Sequence, residues 1–171
     1  HVEIFNHPKL FLKEYDPRRH GCLILDVRMP EIGGLELQEQ LKQKGIAIPV
    51  IFITGHGDVP MAIRAMKGGA IEFLTKPFND QALLDSINRA LDVDLKQRSK
   101  QQQREKIENR VARLTPRERQ VMKLVVAGKL NKVIASELNI SSKTVELHRA
   151  KIMEKMEARS LAELVTLVML Y

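Results

Sequence analysis

The sequence predicts two folded units of different class: an α/β unit built on a parallel sheet and, after a basic linker, an all-α unit of four helices. Three observations lead there. Short aliphatic runs alternate with helical patterns through the first half of the chain, a stretch without any apolar residue follows, and the remainder shows helix-start and helix-stop signals with no strand pattern.

The runs Cys22–Leu25, Pro49–Ile53 and Ala70–Leu74 are rich in β-branched or aliphatic side chains. Between and after them, helical spacing appears at Leu35–Lys44, Val59–Lys67 and Asp80–Leu91. A βαβαβα succession implies a parallel sheet with right-handed crossovers, and near-continuous apolarity suits strands buried on both faces. An earlier strand at Val2–Phe5 and a helix at Pro8–Tyr15 are also expected. Gly33-Gly34, Gly68-Gly69, Pro30, Pro49 and Pro77 mark the junctions. The sequence places this unit at 1–94, a helical or frayed solvated linker at 95–112, and the second unit at 113–171. Within the linker, Lys96–Lys106 has no apolar residue, and Ile107, Val111 and Leu114 then resume helical spacing.

In the second unit, Thr115-Pro116-Arg117-Glu118 offers a capping residue, a proline at the first helical position and a reciprocal Glu at the third. Gly128 is placed to end that helix. Asn131 is expected to cap a short helix to about Leu138, and Asn139-Ile140-Ser141 to turn into a third helix near Ser142. Ser160-Leu161-Ala162-Glu163 repeats the capping-box pattern before the last one.

Composition narrows the function. The 171 residues are 44% apolar, with only 4% aromatic and no Trp, and no apolar run is long enough to span a membrane. No secretory signal is visible, and the lone Cys22 reads as a small core residue in a reducing compartment, so a cytoplasmic location is expected. The net charge of +7 is unevenly spread: residues 1–95 carry 11 basic and 13 acidic side chains, 96–110 carry 6 and 2, and 111–171 carry 11 and 6. The positive excess therefore lies in the C-terminal half, as a polyanion-binding unit there requires, although many helical domains are basic for no such reason.

Asp26, Thr54 and Lys76 each stand at the carboxyl end of one of the three strands, the edge along which open parallel sheets hold their ligands. A carboxylate there can attack a phosphoryl group, while a hydroxyl and an ammonium stabilise its oxygens. Each residue singly reads as well as a capping carboxylate, a turn residue or a surface charge. Together, Leu23-Ile24-Leu25-Asp26-Val27-Arg28-Met29-Pro30, Val50-Ile51-Phe52-Ile53-Thr54-Gly55 and Phe73-Leu74-Thr75-Lys76-Pro77-Phe78 resemble the receiver domain of two-component response regulators.

The resemblance implies a flavodoxin-like, doubly wound parallel sheet in which Asp26 accepts phosphate from a sensor histidine kinase. It implies that Thr54 and Lys76 contact the phosphoryl group and that Phe73 is the aromatic switch residue. Phosphorylation would add about −1.5 to −2 charges to bias the Thr54–Phe73 surface. Mg²⁺ would be held by Asp26 and the backbone carbonyl of Arg28, together with an acidic pair some forty residues before the acceptor. No such pair precedes Asp26 here. In the strand order 2-1-3-4-5 the strand carrying that pair lies between Val2–Phe5 and Cys22–Leu25, so the N-terminal strand and helix are expected to be missing from this chain. The receiver is accordingly expected to be rearranged or completed by a neighbouring chain.

In the third C-terminal helix, Val145, Ile152 and Met156 recur at core-facing spacing, which turns Glu146, Leu147, Ala150 and Lys151 outward. An ordinary amphipathic helix would look the same. The segment from Leu114 to Leu167, with Asn131-Lys132-Val133-Ile134-Ala135 and Lys143-Thr144-Val145-Glu146-Leu147-His148-Arg149, is similar to the LuxR-type helix-turn-helix, and the whole chain to the NarL/FixJ class of response regulators. By that similarity Glu146, Leu147 and Ala150 stand where base edges are read, and Lys132, Lys143, Thr144, Arg149 and Lys151 where phosphates are met. The partners implied are a double-stranded DNA operator, a sensor histidine kinase, a second copy of the chain in the active dimer, and RNA polymerase; no membrane is involved. His148 reads as a packed or backbone-bonded residue, and His56 has no partner at zinc-like spacing.

The function expected is a phosphorylation-dependent transcriptional regulator and not an enzyme. A phosphotransfer or phosphatase enzyme using Asp26 is the second reading, against which Lys143–Lys151 argues. A receiver-like domain that no longer takes phosphate is the third.

Overall fold

A computed structural model describes all residues, His1–Tyr171. The chain divides into two compact units, His1–Arg98 and Ser99–Tyr171, each with its own core.

In the first unit the sheet has three parallel strands, β1 (Leu23–Asp26), β2 (Val50–Thr54) and β3 (Glu72–Thr75), in the order β1-β2-β3. Leu23 pairs with Val50 and Ile51 with Glu72, so the strands end in step. The helices are α1 (Pro8–Glu14), α2 (Gly34–Gln43), α3 (Val59–Lys67) and the start of α4 (Asp80–Ala112). Ile51 and Phe52 on the central strand are fully buried, with Leu37, Leu41 and Ala65 supplied by the helices. Gly34 is dictated by space: its N–H bonds the Val27 carbonyl at 2.9 Å, and a Cβ there would stand 2.2 Å from the Asp26 carbonyl oxygen.

Three expectations change. Burial on both faces holds for β2 only; β1 and β3 each have one strand neighbour, and Ile24 is 40% exposed. Cys22 lies just before β1 and is half-buried rather than inside a strand. Val2–Phe5 forms no strand, and Val2 and Ile4 are exposed. The physical reason is pairing: in the doubly wound order this segment does not neighbour β1, and no strand of the described chain stands between them to supply a ladder. Only Phe5 is retained by packing, edge-on against Phe11 at 5.4 Å between ring centres.

The apolar-free stretch is helical throughout, because α4 runs unbroken to Ala112. Its last turns bury Ile107 and Val111 in the core of the second unit with Val121, Ile134, Val145, Ile152 and Met156. There α5 (Pro116–Val126), α6 (Asn131–Leu138), α7 (Ser142–Met156) and α8 (Leu161–Leu170) follow. Thr115 and Glu118 form the full reciprocal cap of α5. Asn131 is not a cap: Leu130 holds that position without a side-chain bond, and Asn131 is the first helical residue. At α8, Ser160 accepts from the Glu163 N–H at 3.2 Å, but the Glu163 carboxylate passes over Ser160 to the Arg159 N–H at 2.8 Å, so the expected box is half made.

Five helices end alike. After α2, α3, α5, α6 and α7 one residue turns left-handed and the next N–H reaches back to the carbonyl five residues earlier, as Ile46 does to Leu41 and Ala158 to Met153. The left-handed residue is Gly45, Gly69, Gly128 and Asn139 in the first four and Glu157, at φ 54°, in the last.

Candidate functional site

The strand register brings three of the expected receiver residues to one edge. Asp26 closes β1, Thr54 closes β2, and Lys76 follows β3 with its N–H on the Thr54 carbonyl at 2.8 Å. Lys76 Nζ donates to Asp26 Oδ2 at 3.3 Å, and the Arg28 N–H donates to Asp26 Oδ1 at 3.0 Å. Both carboxylate oxygens thus face donors while the side chain stays about one-third exposed. Arg28 itself is exposed.

Thr54 is 1% exposed, and its hydroxyl accepts from the His56 N–H at 3.2 Å. Phe73 lies half-buried with its ring 6.2 Å from that of Phe52. Gly57 joins this group, which sequence reasoning missed: a Cβ there would meet the Phe73 ring at 2.8 Å and the Thr54 methyl at 2.9 Å. Only packing shows that this glycine makes room for the ring. His56 contributes its backbone N–H to Thr54.

Nowhere in the chain do three or more His, Cys, Asp or Glu side chains gather as a metal site. Asp26 and the Arg28 carbonyl offer two oxygens where a hexacoordinate Mg²⁺ takes about six, several of them waters. The residues of this chain therefore do not compose the metal site that receivers of this family generally have.

A second polar cluster was not foreseen. Asp94 is 3% exposed and accepts from His20 Nδ1 at 2.5 Å, the Gly21 N–H at 3.0 Å and Arg98 Nε at 2.7 Å. Arg98 also donates to the carbonyls of Pro17 and Arg19. Burial pushes the Asp94 carboxyl up, but the Arg98, Gly21 and His20 donors outweigh it and hold it below the ordinary value. No local pattern could reveal a cluster whose members lie 74 residues apart.

In the second unit α7 buries Val145, Ile152 and Met156 and exposes Lys143, Glu146, Leu147, Ala150 and Lys151. Thr144 is drawn into the cap: its N–H donates to Ser141 Oγ at 3.0 Å, and the two hydroxyls bond at 2.8 Å. Arg149 is half-buried and donates to Asn131 Oδ1 at 3.2 Å, tying α7 to the start of α6. Lys132 is exposed on α6, one residue further on. His148 is packed: its Nδ1 is buried without a hydrogen-bond partner, so the backbone-bonded alternative is not realised at that atom. From Lys143 to Lys151 the exposed side chains of α7 are thus two cations, one carboxylate and two apolar groups, flanked by exposed Ser142 and Glu154.

Residues 1–88 match the family described as response regulator receiver domain, and residues 112–168 that described as bacterial regulatory proteins, luxR family. The chain is 48% identical over 164 residues to the response regulator protein TodT of Pseudomonas putida, covering 96% of this chain and 72% of that one. It is 44% identical over 168 residues to the transcriptional regulatory protein FixJ of Bradyrhizobium diazoefficiens, covering 98% and 82%. Among solved structures, the response regulator StyR superposes with a TM-score of 0.85 at 50% identity, over 98% of this chain and 84% of that one. The chain accordingly belongs to the response regulators that join a receiver domain to a LuxR-type DNA-binding domain, and it is a DNA-binding transcriptional regulator.

Proposed function

We propose that this regulator is switched by phosphorylation of Asp26 and that α7 reads its operator. The observation that carries the first part is the Lys76–Asp26 contact beside the buried Thr54, which puts a nucleophilic carboxylate, an ammonium and a hydroxyl on three adjacent strand ends. A carboxylate oxygen attacks phosphorus, the P–N bond of the kinase's phosphohistidine breaks, and the imidazole, already protonated on its other ring nitrogen, leaves neutral. Lys76 then faces the new phosphoryl charge, the Thr54 hydroxyl turns its proton toward it, and Phe73 and Gly57 repack against the moved threonine. Mg²⁺ binding is a family expectation to which Asp26 and the Arg28 carbonyl would contribute; no step here runs through it.

The exposed row of α7 supports the second part: Glu146, Leu147 and Ala150 face base edges, and Lys143, Lys151 and Lys132 face phosphates, with Thr144 and Arg149 at the edge of that surface. Dimerisation is supported by α8, which exposes Leu161, Met169 and Leu170. The receiver spans 1–94, and the linker 95–112 leads into the DNA-binding unit 113–171, its last turns already packed in that unit's core through Ile107 and Val111. The partners are operator DNA, a sensor histidine kinase, a second copy and RNA polymerase. No helix is long and apolar enough to cross a membrane, and we place the protein in the cytoplasm as a non-enzymatic regulator.

Incubation of a chain whose N-terminus carries the acidic pair with a small acyl phosphate and Mg²⁺ tests the acceptor. The parent should gain one phosphoryl group by intact mass and Asp26→Asn none; equal modification of both overturns the assignment.

A further inference from the structure

The end of α7 differs from those of four other helices in the residue that makes the left-handed turn. Where α2, α3, α5 and α6 close with Gly45, Gly69, Gly128 and Asn139 in the left-handed region, α7 closes with Glu157. Gly and Asn take that conformation easily and a glutamate does not. A residue held in an unfavourable backbone region implies that its surroundings fix it.

Those surroundings come from the last turns of α4. Arg110 donates to Glu157 Oε2 at 2.6 Å and to the Met156 carbonyl at 3.3 Å, and Arg113 donates to Glu157 Oε1 at 3.3 Å. Arg110 is three-quarters buried and is flanked in sequence by Ile107 and Val111, which lie in the unit's core. A guanidinium at the carboxyl end of α7 also faces the negative end of the helix dipole. The segment 107–113 is therefore part of the DNA-binding fold rather than a tether to it.

We propose that Arg110, Arg113 and Glu157 form a positioning bracket that fixes the axis of α7, and with it the depth at which Glu146 and Ala150 enter the groove. Glycine at 157 would suit the backbone better and would dismantle the bracket, so its presence as glutamate trades local stability for helix placement. The inference rests on the reading that α7 contacts bases.

The test uses the full chain, a duplex selected by it from a random pool, and a scrambled duplex of equal length. Glu157→Gly should unfold at a temperature no lower than the parent, yet its preference for the selected duplex should fall by about threefold to tenfold, the range set by a partly exposed charged hydrogen bond. Arg110→Ala should reduce the preference similarly, and the double variant by no more than either alone, because one bracket is lost in each case. A purely electrostatic Glu157 would instead tighten both duplexes equally on removal, and a purely capping one would leave the preference unchanged; either result overturns the bracket. Glu146→Ala is the control: unchanged preference there overturns the reading of α7 itself, whereas loss there with an unaffected Glu157→Gly overturns the bracket alone.

Discussion

Glu118 gives the sharpest stability test. It is 3% exposed, its Oε2 accepts from the Thr115 N–H at 2.8 Å and from Lys155 Nζ at 2.7 Å, and its own N–H donates to Thr115 Oγ1 at 3.2 Å. Glu118→Ala removes one side of the α5 cap, worth about 1 kcal/mol, and a charged hydrogen bond worth about 1.5–3 kcal/mol. Lys155 is about one-third exposed and regains water when orphaned, so we expect a net loss of about 2–4 kcal/mol. For a unit of this size that is roughly 4–8 °C per kcal/mol in melting temperature. Glu118→Gln keeps an acceptor for Thr115 and should lose about half as much.

The pH dependence of that effect has a definite sign. Burial pushes the Glu118 carboxyl up, but Lys155 and Thr115 outweigh it and hold it below its ordinary value of 4.5. A carboxyl lowered on folding stabilises above its unfolded value, and that contribution is lost as pH falls from about 4.5 through the folded value. Calorimetry of the full chain from neutrality into that range should show the second unit's transition falling in the parent and the parent–Gln gap closing. A Gln variant as stable as the parent at neutral pH, or a gap independent of pH, would refute the account.

Three further outcomes follow from the geometry. Gly34→Ala should destabilise the first unit by about 1–3 kcal/mol, because its Cβ would meet the Asp26 carbonyl; hydrogen exchange at β1 reports it, and unchanged protection speaks against the close approach. Asp94→Ala should cost that unit about 1.5–3 kcal/mol, since Arg98 and His20 lose their carboxylate while Arg98 keeps the Pro17 and Arg19 carbonyls; the Asp94 contribution should fade as pH falls below about 3.8, and a variant melting with the parent contradicts it. Lys143→Ala should weaken all duplexes alike and lower the salt slope by about 1, while Glu146→Ala should relax one base position by about 1–3 kcal/mol; a salt titration in which both variants behave as the parent removes α7 as reader.

Two classes of fold, the helices of the second unit and the three strand ends where Asp26, Thr54 and Lys76 stand are legible in the amino-acid sequence. Those are local matters: apolar period, capping residues such as Thr115 with Glu118, and motifs a few residues long. It also placed Val145, Ile152 and Met156 inside, because helical spacing forces the face. Everything else depends on contacts that form on folding. Whether Val2–Phe5 is a strand depends on a neighbouring ladder and not on its own alternation. Arg149 turns toward Asn131 because two helices cross there, and Gly57 is required because a phenylalanine from another strand fills its space. The contacts of Asp94 with His20 and of Glu157 with Arg110 join residues 74 and 47 apart, and a distance along the chain carries no signal until folding closes it.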